Sequence, residues 1–248
     1  MIPTTYMVVM ILAFLSGMTT IIGVALAFAF RRCNKGIATG LGFSAGIMIV
    51  ISVFELVPES IEIAGLLPSI IALSLGVVLI GSLHFIIPHT HLIKEKCPVK
   101  RCFLRTAYLC AFGLILHDFP EGFAMANSFL VSPSLGLIIA AAIALHNIPE
   151  EFAMSVPIML TKDRRFLLKM AFLSGLAEPA GAVIGLSAAF LMPSLTPLFM
   201  SFAAGAMIFV SIHELIPMAH KYERKWFFIL GLLLSILVYF GLAFFIPE

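Results

Sequence analysis

Charge is scarce in this sequence. Of its 248 residues, 11% are charged and 61% are apolar, and several stretches run about 20 residues without an ionisable side chain, which excludes a soluble globular domain. The chain reads as an all-α, polytopic membrane protein. Eight apolar stretches can be drawn, at about 6–30, 37–57, 67–87, 104–128, 134–160, 166–191, 197–217 and 226–246. The first is too long for a signal-peptide core and lacks a cationic start, so it is expected to remain as a mature helix.

Cations are missing altogether from half of the connecting segments. All 15 Lys and Arg fall in the segments after spans 1, 3, 5 and 7: Arg31 to Lys35, Lys94 to Arg105, Lys162 to Lys169, and Lys221 to Lys225. The positive-inside rule places that side in the cytoplasm and both termini outside it, in a cell membrane. A net charge of +2 divided in this way reports topology and argues against nucleic acid as a partner. Cysteine is also sparse. Cys33, Cys97, Cys102 and Cys110 fall in the cytoplasmic segments or at the start of span 4, a reducing location where no disulfide is expected, and their spacing is not that of a zinc ribbon.

Against this background two polar clusters stand out in the middle of apolar spans. The first reads His117-Asp118-Phe119-Pro120-Glu121-Gly122 and the second His146-Asn147-Ile148-Pro149-Glu150-Glu151, at a constant offset of 29 residues. In each, His and Glu are four apart and share one helix face, with Asp118 or Asn147 three before the same Glu. Span 6 adds Glu178, again before a proline. Seven candidate ligands result: His117, Asp118, Glu121, His146, Asn147, Glu150 and Glu178. A charge at mid-bilayer costs at least about 2.5–3.5 kcal/mol, and no Lys or Arg lies near these carboxylates in sequence. Cations must compensate them, and carboxylate, imidazole and amide donors suit zinc, ferrous iron or manganese better than copper(I).

The chain also repeats itself on a larger scale. Phe43 to Pro58 in span 2 and Phe202 to Pro217 in span 7 are identical at nine of sixteen positions, and Phe14-Leu15-Ser16-Gly17 of span 1 returns as Phe172-Leu173-Ser174-Gly175 in span 6. Spans 1–3 and 6–8 are thus a repeat. Five spans separate each member from its copy, so the copies run in opposite directions, an arrangement characteristic of secondary transporters. Glu55, with Glu59 and Glu62 beyond it, then falls near the outer mouth, either as a cation-attracting entrance or as solvated interface. His213 and Glu214 fall near the cytoplasmic mouth. His89 and His91, with His84 just before them, offer a further metal-binding loop or a merely polar one.

Taken together, His117-Asp118-Phe119-Pro120-Glu121-Gly122, His146-Asn147-Ile148-Pro149-Glu150, Gly175-Leu176-Ala177-Glu178-Pro179 and His213-Glu214-Leu215-Ile216-Pro217 resemble the ZIP (Zrt- and Irt-like) divalent-metal transporters. The likeness is greatest to their compact prokaryotic ZupT-like and GufA-like branch. The resemblance implies eight helices in a 3+2+3 arrangement, often assembled as homodimers in the lipid bilayer, importing zinc and also iron, manganese or cadmium as substrate, with no separate cofactor. It further implies a binuclear centre. One ion would be held by His117, Glu121, His146 and Glu150. The other would use Asp118, Asn147 and Glu178, with Glu121 and Glu150 bridging. His213, Glu214, His89 and His91 would mark the exit, Glu55 and Glu59 the entrance. Two residues depart from the pattern: Asp118 stands where many members have Asn, and Glu151 where Gly is usual.

Three rival readings carry different expectations. An efflux protein or a metal sensor would keep the same site. A channel-like route would also use two acidic mouths. An intramembrane metalloenzyme is disfavoured, because His213-Glu214 is followed by Pro217 where a zinc protease has its second His, and no Glu-x-x-His pattern occurs.

Overall fold

A computed structural model describes residues 3–30, 33–86, 117–159 and 164–246. These residues are helical almost throughout. Helix α1 spans Pro3–Phe30, α2 Asn34–Ala64, α3 Leu66–Ile86, α4 residues 117–131 and α5 Pro133–Met159. Helix α6 runs over Arg164–Gly175 and resumes at Ala177–Leu191. Helix α7 runs over Pro193–His220 and α8 over Lys225–Phe245. Seven of these are long and apolar enough to cross a membrane. The candidate span at 104–128 is described only from residue 117 onward, and Cys97, Cys102 and Cys110 lie outside the described residues.

Burial is graded in the way a bilayer demands. Only 17% of the most apolar stretch of α8 and 22% of that of α3 is buried, against 72% for α2 and 67% for α5 and α7. Helices α3 and α8 therefore present Leu, Ile and Phe outward on most sides. Small residues and the polar clusters are kept for the interior, where helix backbones can approach closely.

Helix α8 packs along α2, α3 along α7, and α1 along both α5 and α6. The crossing of α1 and α6 is built on glycine. A Cβ on Gly17 would fall on the carbonyl oxygen of Gly175, and a Cβ on Gly175 would fall on that of Gly17. The two repeated Ser-Gly pairs thus lie back to back.

Two elements differ from the expectation drawn from the sequence. Span 2 does not end near Val57 but continues to Ala64, and span 7 continues to His220. Both pass their proline by the same device, a π-helical turn at Ser52–Leu56 in α2 and at Ser211–Leu215 in α7. Pro58 and Pro217 cannot donate to the carbonyl four residues back. The preceding N–H groups, of Val57 and Ile216, reach instead to Ser52 and Ser211, and the widened turn absorbs the missing bond. The connection between α4 and α5 is also tighter than the expected five or so residues. Ser132 alone separates them; its N–H donates to the Ser128 carbonyl, and its hydroxyl accepts the N–H of Leu135 at 3.4 Å just after Pro133 opens α5.

Candidate metal centre

Helices α4 and α5 carry the repeated motif, and the structure pairs the two copies crosswise. His117 Nε2 of α4 lies 2.7 Å from Glu150 Oε1 of α5, and His146 Nε2 of α5 lies 3.0 Å from Glu121 Oε1 of α4. Within α4, His117 Nε2 is also 3.4 Å from Glu121 Oε1. One ligand atom each from His117, Glu121 and Glu150 falls within 4.8 Å of the others. His146 joins through Glu121. All four side chains are buried, none more than 3% exposed.

The hydrogen bonds around His146 fix what its ring can do. Nδ1 lies 2.9 Å from the Ala142 carbonyl oxygen, which can only accept, so Nδ1 carries the proton. The Nε2 lone pair then points at a carboxylate oxygen 3.0 Å away. Two acceptors at that distance repel unless a cation, a proton or a metal ion, lies between them. Glu121 Oε2, Glu150 Oε2 and Glu178 Oε2 add buried acceptors with no hydrogen-bond donor among the described residues. Buried carboxylate oxygens without donors are costly in a low dielectric. A divalent ion of borderline softness takes such a set of imidazole nitrogens and carboxylate oxygens.

The other three candidate ligands have partners of their own. Asn147 donates its amide to Glu178 Oε1 and is 3.5 Å from the Ser16 carbonyl oxygen. Asp118 accepts the hydroxyl of Ser174. Helix α6 is held against α4 by the absence of a side chain at Gly122, where a Cβ would fall on the Glu178 carbonyl oxygen. That approach brings Glu178 to the cluster. Its counterpart in the first repeat is Thr20, whose hydroxyl is 2.8 Å from the Gly17 carbonyl and 3.2 Å from that of Ala171. The repeat therefore duplicates the scaffold and not the carboxylate.

Glu151, which points about 100° away from Glu150 on an ideal helix, accepts from Ser155 at 3.1 Å. It is buried, and its Cβ abuts Gly23 of α1. Ser44 of α2 donates to the His146 carbonyl at 2.9 Å. The serines Ser16, Ser44, Ser155 and Ser174 were not distinguishable in the sequence from ordinary packing residues. Only the repetition of Phe-Leu-Ser-Gly hinted at two of them.

At the positions expected to flank the two mouths, adjacent residues part company. Glu214 is buried and pairs with His84 Nδ1 of α3 at 3.0 Å. His213 is exposed, stacks on Phe209 with ring centroids 4.1 Å apart, and turns Nδ1 toward the Phe209 carbonyl. Neighbours on a helix differ by about 100°, so a side chain next to Glu214 faces elsewhere. His84 therefore belongs with Glu214, while His89 and His91 lie outside the described residues. In α2, Glu55 accepts the hydroxyl of Tyr239 of α8 at 2.7 Å. Glu59 is half-buried and Glu62 exposed.

A model of the family described as ZIP zinc transporter matches residues 87–246. The chain is 37% identical to the "Zinc transporter ZupT" of Corynebacterium aurimucosum, covering 92% of each chain. It is 36% identical to the protein of that name in Streptococcus mutans, covering 92% of this chain and 93% of the relative. The protein of that name in Escherichia fergusonii is 35% identical, with 86% and 87% covered. With a family match over more than half of its length and relatives aligned nearly end to end, this chain belongs to the ZIP family of transporters, and within it is similar to the ZupT proteins.

Proposed function

We propose that this protein imports zinc into the cytoplasm, and that ferrous iron, manganese and cadmium compete for the same route. One observation carries the reading. Two buried imidazoles and two buried carboxylates face one another, with no lysine or arginine paired to them among the described residues, and the His146 lone pair is directed at Glu121. The relatives' names point to zinc, and so does the mixed nitrogen and oxygen donor set.

In this proposal the first ion is held by His117, Glu121, His146 and Glu150. The second takes Asp118, Asn147 and Glu178, and Glu121 and Glu150 bridge the two. Eight spans in a 3+2+3 arrangement, with inverted repeats outside and α4 and α5 between them, expose the site alternately to each side. The matching π turns in α2 and α7 and the back-to-back Ser-Gly pairs of α1 and α6 support that arrangement. Both termini lie outside the cytoplasm. Glu55 and Glu59 serve the entrance, Glu214 the exit with His84, and His213, His89 and His91 flank it. The working unit is a homodimer.

The test is zinc-65 uptake into proteoliposomes by the wild type, Glu121→Ala and Glu150→Ala, with iron, manganese and cadmium as competitors. Import requires uptake by the wild type and its loss in both variants. A folded wild type that binds zinc and moves none inward would sink the reading and favour efflux or sensing.

A further inference from the structure

The rim of the bundle where α7 ends and α8 begins holds a second feature that metal transport leaves unused. A cavity of about 650 Å³ opens there, walled by His220, Glu223, Arg224, Lys225, Trp226 and Phe227 among others. Next to it, sharing Phe227, a groove of about 470 Å³ runs down between α2 and α8. Its walls include Lys35, Gly40, Phe43, Pro149, Leu230 and Leu234. The upper space thus carries charged side chains, and the lower one is apolar apart from Lys35 and Thr39.

Three cations at this junction, Lys35, Arg224 and Lys225, have no carboxylate partner among the described residues. Each lysine instead lies over an aromatic ring, Lys35 Nζ 5.3 Å from the centre of Phe227 and Lys225 Nζ 5.5 Å from that of Trp226. Those contacts tether the amines at the cavity without cancelling their charge. Trp226 is 72% exposed, as an indole at headgroup depth would be. Glu223, held at φ 53°, is the single acidic group among the described residues that line the cavity; set against Arg224 and Lys225 there and Lys35 in the adjoining groove, it leaves a net positive surplus.

We propose that this cavity and groove bind one anionic phospholipid. Its phosphate lies between Arg224, Lys225 and Lys35, and one acyl chain follows the groove past Phe43, Leu230 and Leu234. Charge complementarity selects the head, and the apolar groove selects a lipid over free phosphate. Pro149 precedes Glu150 and forms part of the groove wall. A bound chain therefore packs against the helix that carries the metal centre. Lipid binding here does not depend on which ion is carried or in which direction.

The experiment is native mass spectrometry of the detergent-purified full chain, offered phosphatidylglycerol or phosphatidylcholine of the same chain length. The wild type is compared with the triple variant Lys35→Ala, Arg224→Ala, Lys225→Ala, and circular dichroism and zinc binding verify that the variant is folded. A second variant, Leu234→Trp, fills the groove and leaves the charges in place. The wild type is expected to retain one phosphatidylglycerol in preference to phosphatidylcholine and to keep it in millimolar inorganic phosphate. The triple variant should lose affinity on the order of a hundredfold, from roughly fivefold per cation, and Leu234→Trp should weaken retention too. Equal retention of both lipids, or retention unaffected by either variant, would overturn the proposal. So would displacement by inorganic phosphate, which identifies a simple anion site, or a dimer that excludes lipid, which identifies a second copy as the occupant.

Discussion

Ser16 and Ser174 occupy equivalent places in the two repeats and meet the central motifs in opposite senses. Ser174 donates its hydroxyl to the Asp118 carboxylate, whereas Ser16 offers its backbone carbonyl toward the Asn147 amide. A carboxylate can only accept and an amide nitrogen can only donate. The same scaffold thus accommodates Asp in one motif and Asn in the other by exchanging which group of the serine is used. This gives a local reason for Asp118 in the first motif against Asn147 in the second: the donor to Asp118 is built into α6.

The Ser174 bond is therefore expected to be coupled to Asp118. Ser174→Ala should destabilise the protein by about 1–3 kcal/mol, the cost of leaving a buried acceptor without its donor. Asp118→Asn alone removes that need, so the double variant should lose less than the sum of the two single changes. Thermal melting in detergent across the double-mutant cycle measures the coupling, and strict additivity would show the contact to be inconsequential.

Gly122 should tolerate no side chain. A Cβ there meets the backbone carbonyl of Glu178, which cannot move without shifting α6. Gly122→Ala should cost about 1–3 kcal/mol or more and displace Glu178 from the metal cluster. Gly241, where a Cβ would meet no atom within 4 Å, is the control: Gly241→Ala should leave both melting temperature and zinc stoichiometry unchanged.

Adjacent glutamates should behave differently. Glu150→Gln removes a charge beside His117 and should abolish tight binding at the first metal position. Glu151→Gln changes a group bonded to Ser155 and packed toward Gly23, and zinc stoichiometry should survive. Equilibrium dialysis with zinc-65 reads both. Loss of an ion in Glu151→Gln would show that this carboxylate also ligates.

Acid should weaken metal binding. Protons and the metal compete for the same lone pairs on His117, His146, Glu121 and Glu150. Protonation raises the cost of binding and metal binding releases protons, so the apparent zinc affinity should fall as pH falls. Calorimetric titration in buffers of different ionisation enthalpy tests this directly: the measured heat should change with the buffer, because protons are released to it.

Tyr239→Phe should loosen the tie between α2 and α8. Removing the 2.7 Å bond to Glu55 at a half-buried position should cost about 0.5–1.5 kcal/mol. Fluorescence-detected melting provides the check, and no change would show that the bond is offset by solvent at that depth.

Local physics explains what could be read from the chain itself. Uncharged runs about 20 residues long require helices in lipid because every backbone group must be satisfied internally. A four-residue spacing puts His117 with Glu121 and His146 with Glu150 on common faces whatever the rest of the protein does. Repeated segments announce a repeated scaffold, and the two π turns fall at matching positions in it, although the pattern gave no sign of the turns themselves.

Tertiary structure decided the pairings. Spacing within one helix cannot determine how that helix is rotated against its neighbours. The crosswise contacts of His117 with Glu150 and His146 with Glu121, the link from Asn147 to Glu178 and the one from Ser174 to Asp118 all join different helices. So does the contact that takes Glu214 to His84 and leaves His213 outside. The approach of α6 to α4 depends on Gly122, where a Cβ would meet the Glu178 carbonyl oxygen, and that partner backbone is supplied by a distant part of the chain.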